Sequence, residues 1–138
     1  MEKTLVLIKP DAFGKNHAGA ILKIYEEAGF KIVAAKVMKM TPELAAKHYV
    51  EHIGRPYYPA LVDFMTSAPI MAVVLSGNDV IKKVREINGA TNPAEAAEGT
   101  IRKLYAEDKT KNAVHASDSE ASAAREIPIF FGAYEIFD

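Results

Sequence analysis

Four short apolar runs alternate with amphipathic segments of helical spacing, and a further helical pair interrupts the series in the middle. The order reads β-α-β-(α-α)-β-α-β, with a last helix behind the fourth strand. It predicts an α/β (α+β) sandwich of ferredoxin-like βαββαβ topology: a mostly antiparallel four-stranded sheet, an inserted helical hairpin and a C-terminal helix. The length agrees, since 138 residues suffice for a single domain, taken as residues 1–138, with a proper core. With 49% hydrophobic and 25% charged residues the chain has the balance of an ordinary globular protein. A formal net charge of −1 provides no broad basic face for a nucleic acid or a membrane surface, so phosphate affinity must come from a few placed cations. The absence of cysteine excludes disulfides, thiol catalysis and cysteine-held metals. The N-terminus runs straight into a strand pattern with no signal-peptide pattern or long apolar span, which points to a cytoplasmic protein.

Residues 4–8, Thr-Leu-Val-Leu-Ile, are apolar and β-branched enough for a buried strand. Lys9-Pro10-Asp11 ends it, because proline cannot continue the ladder, and Lys9 is left at the carboxyl end, where α/β sheets hold ligands. Residues 18–28 carry Ala18, Ile21, Leu22, Ile24, Tyr25 and Ala28 at helical spacing, with Gly29 as the stop. Residues 30–38 read as the second strand. Thr41 as N-cap and Pro42 at the first helical position open another helix, which extends through His48-Tyr49-Val50-Glu51-His52. Arg55-Pro56-Tyr57-Tyr58-Pro59 interrupts, and residues 60–66 resume a helix with Leu61, Val62, Phe64 and Met65 apolar. The ring of Tyr57 could stack on a nucleobase, although tyrosine pairs more often pack.

Residues 69–75 read as the third strand, and residues 78–87 as a helix with Val80, Ile81, Val84 and Ile87 on one face and Arg85 off it. The pattern loosens over residues 88–111. Irregular stretches of that length are functional or disordered, and Thr91-Asn92-Pro93-Ala94 and Gly99-Thr100-Ile101-Arg102 read as structured turns. Residues 120–127 form the last helix, followed by extended pieces at 129–131 and 134–137.

The segment with the most chemistry is Asn112-Ala113-Val114-His115-Ala116-Ser117-Asp118-Ser119. Ser117 with Glu120 reads as a capping box, so His115 is expected between a short strand and a helix N-terminus. Free N–H groups and the helix dipole there favour a negative group and disfavour imidazolium. A neutral ring with an available lone pair is what a nucleophilic histidine needs. Neither GxxxxGK[ST] nor GxGxxG occurs, so a triphosphate would be held by scattered side chains. Lys9, Arg85 and Arg102, with Thr91 and Asn112, supply such a set, and phosphoryl transfer asks for little beyond alignment and charge neutralisation.

With K-P-D at Lys9, R-P-Y-Y at Arg55, T-N-P at Thr91, G-T-I-R at Gly99 and N-A-V-H-A-S-D-S at Asn112, the chain resembles the nucleoside diphosphate kinases from Thr4 to about Phe131. The resemblance implies transfer of the terminal phosphoryl of a nucleoside triphosphate to a nucleoside diphosphate through phosphorylated His115, which maintains nucleotide pools. It further implies that Ser117 and Glu126 orient the imidazole, that Tyr49 and Lys9 contact the phosphoryl group, and that Thr91 and Arg102 contact phosphates. Lys9 and Asn112 would meet the ribose, and Tyr57 and Leu61 the base. Mg²⁺ held mainly by nucleotide phosphates is the implied cofactor. A homo-oligomer, tetramer or hexamer, is the implied assembly, with no stable nucleic-acid or membrane partner. The sequence departs from the commonest pattern at Tyr57-Tyr58, where the family has Phe-Phe, and its C-terminus is short, as in bacterial members.

Two rival readings are a non-catalytic ferredoxin-like module for an effector or RNA, and a metal hydrolase built on His48, Glu51 and His52. The strands are too apolar and the charge too negative for the first. The second has the H-x-x-E-H spacing but no evident third ligand, so His48 and His52 are expected as exposed helix residues.

Overall fold

β1 (Lys3–Ile8) is buried along almost its whole length, with Leu5, Val6, Leu7 and Ile8 all inaccessible to solvent. Burial that does not alternate means that both faces of the sheet are covered at this strand. The computed structural model, which describes residues 1–138, adds β2 (Lys31–Met38), β3 (Ile70–Ser76) and β4 (Val114–Ala116) in the order β2-β3-β1-β4. Every pairing is antiparallel, with Leu5 opposite Val74 and Leu7 opposite His115. The expected fold class is the observed one.

The helices are α1 (Pro10–Gly14), α2 (Ala18–Glu27), α3 (Pro42–His48), α4 (Tyr58–Met65), α5 (Val80–Asn88), α6 (Ile101–Tyr105) and α7 (Glu120–Phe130). α5 and α7 pack on β1, and α5 also meets β4. Thr41 caps α3 by accepting from the Leu44 N–H at 3.2 Å, as its position before Pro42 predicts. Ile21, Tyr25, Val80, Ile81 and Val84 turn into the core.

Several expectations are corrected. The strand ends at Lys9-Pro10-Asp11 as expected, but a helix not read from the sequence follows: Pro10 opens α1, where its missing N–H costs nothing. The irregular stretch 88–111 contains a 3₁₀ turn at Pro93–Glu95 and α6, each capped by its own side chain, Asn92 and Thr100. The N-cap of α7 is Ser119, not Ser117, and accepts from the Ser122 N–H at 3.1 Å. Residues 129 and 130 are helical, because Pro128 removes one donor while the Phe131 N–H still reaches the Ile127 carbonyl at 3.0 Å. The segment 133–135 is a 3₁₀ turn instead of an extended piece.

Candidate active site

β4 carries His115 on a strand only three residues long, and its neighbours Val114 and Ala116 are buried. The histidine therefore sits within the strand, not beyond it. Just before it, Ala113 has φ +74 and the Val114 N–H reaches back to the Asn112 carbonyl at 2.9 Å, a three-residue turn. A left-handed alanine is strained by about 1 kcal/mol or more, and such strain persists where surroundings enforce it. Here they do: the Ala113 N–H donates to Asp11 Oδ2 at 3.0 Å, and its carbonyl accepts from the Lys9 N–H at 2.8 Å.

Behind the imidazole, Glu126 of α7 is buried, and a carboxylate can only accept. Its Oε1 receives His115 Nε2–H at 3.1 Å and the Ser117 hydroxyl at 2.8 Å. Ser117 in turn accepts the Leu5 N–H at 3.2 Å, which ties the pair to β1. With Nε2 carrying the proton, Nδ1 keeps the lone pair. It has no hydrogen bond in the protein and is not sealed from solvent, so it opens into the adjoining cleft. Arg125 donates to Glu126 Oε2 at 3.5 Å and to the Lys47 carbonyl at 3.1 Å, latching the end of α3 to α7.

The cleft has a volume of about 540 Å³ and is lined by every residue singled out from the sequence except Ser117, which lies buried behind His115. Lys9, buried at the end of β1, donates from Nζ to Asn112 Oδ1 and to the Thr110 carbonyl, each at 2.8 Å. Desolvation pushes its ammonium down to about 8, with the Asp11 carboxylate opposing and the Arg102 charge adding to the fall. Asn112 Nδ2 reaches the carbonyls of Lys109 and Thr91 at 3.0 and 3.3 Å. Arg102 donates to the Gly89 and Val114 carbonyls at 2.7 and 2.8 Å, and burial lowers its pKa from the usual arginine value. Arg85 and Thr91 stand exposed on the lining, and Tyr49 is buried, its hydroxyl pKa raised by desolvation.

A larger, more open hollow of about 840 Å³ lies beside α5, but Glu2, Asp79, Glu86, Glu95, Asp118 and Glu120 on its wall oppose a polyphosphate. The H-x-x-E-H spacing does not make a metal site, because α3 ends at His48 and His52 closes a separate 3₁₀ turn. His48 is buried, not exposed as expected. Its ring meets that of His115 at 4.6 Å between centroids, and both its nitrogens lack partners.

A family model described as nucleoside diphosphate kinase matches residues 2–136. The chain belongs to the nucleoside diphosphate kinase family. A nucleoside diphosphate kinase from Persephonella marina is 51% identical over 138 residues, which is 100% of this chain and 99% of the relative. The Aquifex aeolicus nucleoside diphosphate kinase superposes with a TM-score of 0.96 at 47% identity, covering 98% of each chain. The Halobacterium salinarum enzyme, solved in complex with CDP, gives 0.97 at 41% identity over 99% of this chain and 91% of its own. As an enzyme of this family, the kinase passes a phosphoryl group from nucleoside triphosphate to nucleoside diphosphate, and a phosphohistidine carries it in the family's general reaction. No helix is long and apolar enough to cross a membrane.

Asp11 and Arg125 belong to the architecture of this site and were not singled out from the sequence, and His48, weighed there only as a metal ligand or an exposed helix residue, packs against His115 instead. Asp11 stands within the K-P-D triplet, but its partner amide at Ala113 is 102 residues away. One nitrogen or oxygen each of His48, His115 and Glu126 lie within 4.8 Å of one another. That nitrogen-rich set does not suit Mg²⁺, which prefers oxygen ligands and keeps its waters. The cations facing the cleft suit polyphosphate oxygens instead, so Mg²⁺ fits as an ion carried on the nucleotide.

Proposed function

We propose that His115 Nδ1 is the atom that accepts the phosphoryl group. One observation carries this reading: Nε2 is held by a buried carboxylate, while Nδ1 opens to a cleft that also presents Lys9, Arg85 and Arg102. Nδ1 attacks the terminal phosphorus of a nucleoside triphosphate in line with the leaving oxygen. The new N–P bond forms as the P–O bond to the diphosphate breaks, and a second diphosphate reverses the step. Glu126 and Ser117 keep the proton on Nε2 and stabilise the positive charge that develops on the ring. Lys9, Arg85 and Arg102 neutralise phosphate oxygens and Thr91 donates a hydrogen bond to one, Lys9 and Asn112 reach the ribose hydroxyls, and the Tyr49 hydroxyl faces the transferred group. Mg²⁺, carried on the phosphates, would supply further charge neutralisation. Tyr57 and Leu61 hold the base by stacking and apolar contact alone, which gives low base selectivity.

The chain 1–138 acts as one kinase domain in this reading, in the cytoplasm, as a tetramer or hexamer. Incubation with terminally labelled ATP and Mg²⁺ but no acceptor should yield an acid-labile, alkali-stable phosphoprotein that a nucleoside diphosphate discharges. His115→Ala should take up no label. Stoichiometric labelling of that variant would move the nucleophile elsewhere.

A further inference from the structure

The departure at Tyr57 has a partner. The Tyr57 hydroxyl lies within hydrogen-bond distance of His52 Nδ1, at 2.5 Å, and the two rings meet at 5.7 Å between centroids with a steep 63° tilt. His52 is itself set against Tyr49, at 6.0 Å and 72°, and Tyr49 is buried beside His48. The pairing spans a turn in which Gly54 has φ +89 and the Arg55 N–H donates to the His52 carbonyl at 3.1 Å. A side chain at Gly54 would be strained in that conformation, so the glycine permits the turn that brings residues 52 and 57 together.

The stability of the fold does not require this bond. Tyr57 is 51% exposed and His52 is half-buried, so both polar atoms could be satisfied by water. A phenylalanine at 57, the commoner residue of the family, would present the same flat face without the bond. The hydroxyl therefore adds position. A half-exposed ring free to change rotamer must be ordered when a base stacks on it, and that ordering weakens binding. A ring already tethered to His52 has been ordered beforehand.

We propose that His52 is a positioning residue for nucleotide binding, which fixes the Tyr57 ring as a preformed platform for the base. The proposal rests on the reading that Tyr57 faces the base, and it assigns His52 no contact with the reacting phosphoryl group. Its effect belongs to nucleotide affinity and not to the transfer step.

The test is single-turnover discharge of the phosphorylated full-length protein by GDP, which separates the Kd for GDP from the maximal transfer rate. His52→Ala and Tyr57→Phe should each raise Kd by about three- to tenfold, the worth of one net hydrogen bond, with the maximal rate changed by less than about twofold. The double variant should be no worse than either single one, because both remove the same bond. His52→Asn, whose side-chain amide sits near the place of Nδ1 and offers an acceptor, should restore most of the affinity. If His52→Ala lowers thermal stability and leaves Kd alone, the bond only braces the turn and the proposal is overturned. Effects that multiply in the double variant overturn it equally. Tyr57→Ala separates the two readings: an unchanged Kd there removes the base platform itself, whereas a raised Kd beside a silent His52→Ala removes only the role of His52.

Discussion

Glu126 presents one oxygen to two donors, so replacing its charge without its shape isolates what the charge does. In Glu126→Gln the amide oxygen can still accept from His115 and Ser117, while the negative charge facing the ring is gone. In the proposed reaction the His115 ring gains positive charge on phosphorylation, and preorganised charge at such a point is worth on the order of 100-fold in rate. We expect kcat to fall by about that factor with little change in thermal stability; an equal fall in both would make Glu126 a packing residue. Lys9 gives a pH dependence of opposite sign for folding and for binding. Its pKa is about 8 in the folded protein against 10.5 for an unperturbed lysine. Between those values the unfolded chain holds more protons than the folded one, so this group makes stability rise with pH. Its full penalty is present below about pH 8. The phosphate contact proposed for Lys9 needs the ammonium, so affinity should be lost as pH climbs through about 8. Titrating ADP into the His115→Ala protein should show Kd climbing by up to about tenfold per pH unit above that point, with bound anion shifting the inflection upward. Lys9→Met should bind weakly with that inflection abolished, and a flat profile for the lysine protein from pH 7 to 9.5 would contradict the assignment.

At the scale of elements, the stretch between α5 and β4 supplies Arg102 and holds the Lys9 ammonium through Thr110 and Asn112. Gly89 ends α5 with φ +86, and a Cβ there would lie 2.6 Å from Thr100 Oγ1 and 2.7 Å from Thr100 Cβ. Its carbonyl accepts Arg102 Nη1 at 2.7 Å, so the glycine lets α6 close on α5 and aims the guanidinium. Gly89→Ala should destabilise the protein by about 1–3 kcal/mol through backbone strain and contact. It should also raise nucleotide Kd severalfold; a variant that melts several degrees lower yet binds normally would uncouple the turn from Arg102. The turns around Thr91 and Gly99 were legible because Asn-Pro and Gly-Thr carry their own capping chemistry. α1 and α6 were not, since each has five residues and spans too little of a helical period to show a face. Ser117 and Ser119 illustrate a different limit. Either could cap a helix on paper, and the structure draws Ser117 inward to Leu5 and Glu126, leaving the cap to Ser119. That choice depends in part on a contact 112 residues away in sequence.

Across the whole molecule, the strands were legible for the same reason that the sheet is stable: β1 and β3 are covered on both faces, which demands unbroken apolar runs. The candidate nucleophile and its cations were legible as a set of motifs, while His48, Arg125 and Asp11 gained meaning only once strand order and helix packing set His48 against His115, Arg125 between α3 and Glu126, and Asp11 against the Ala113 amide. Strand order has a further consequence. β2 is an edge strand of eight residues, and one side of its backbone has no partner strand. The C-terminal segment covers part of that edge through the Phe137 N–H, which reaches the Val33 carbonyl at 2.9 Å. Beyond it Ala35 and Val37 are exposed, Val37 by 59%, and an open edge with an apolar side chain is a template for another chain. In a homo-oligomer the simplest use of that edge is a two-fold pairing of β2 with its own copy, which satisfies identical donors and acceptors on both sides. Light scattering at micromolar concentration should then give a mass of at least twice the 15.1 kDa chain. Val37→Glu places a charge on that exposed edge in each copy, so it should shift the population toward monomer and lower thermal stability in a concentration-dependent way. An unchanged mass in Val37→Glu would mean that the assembly is built on another surface.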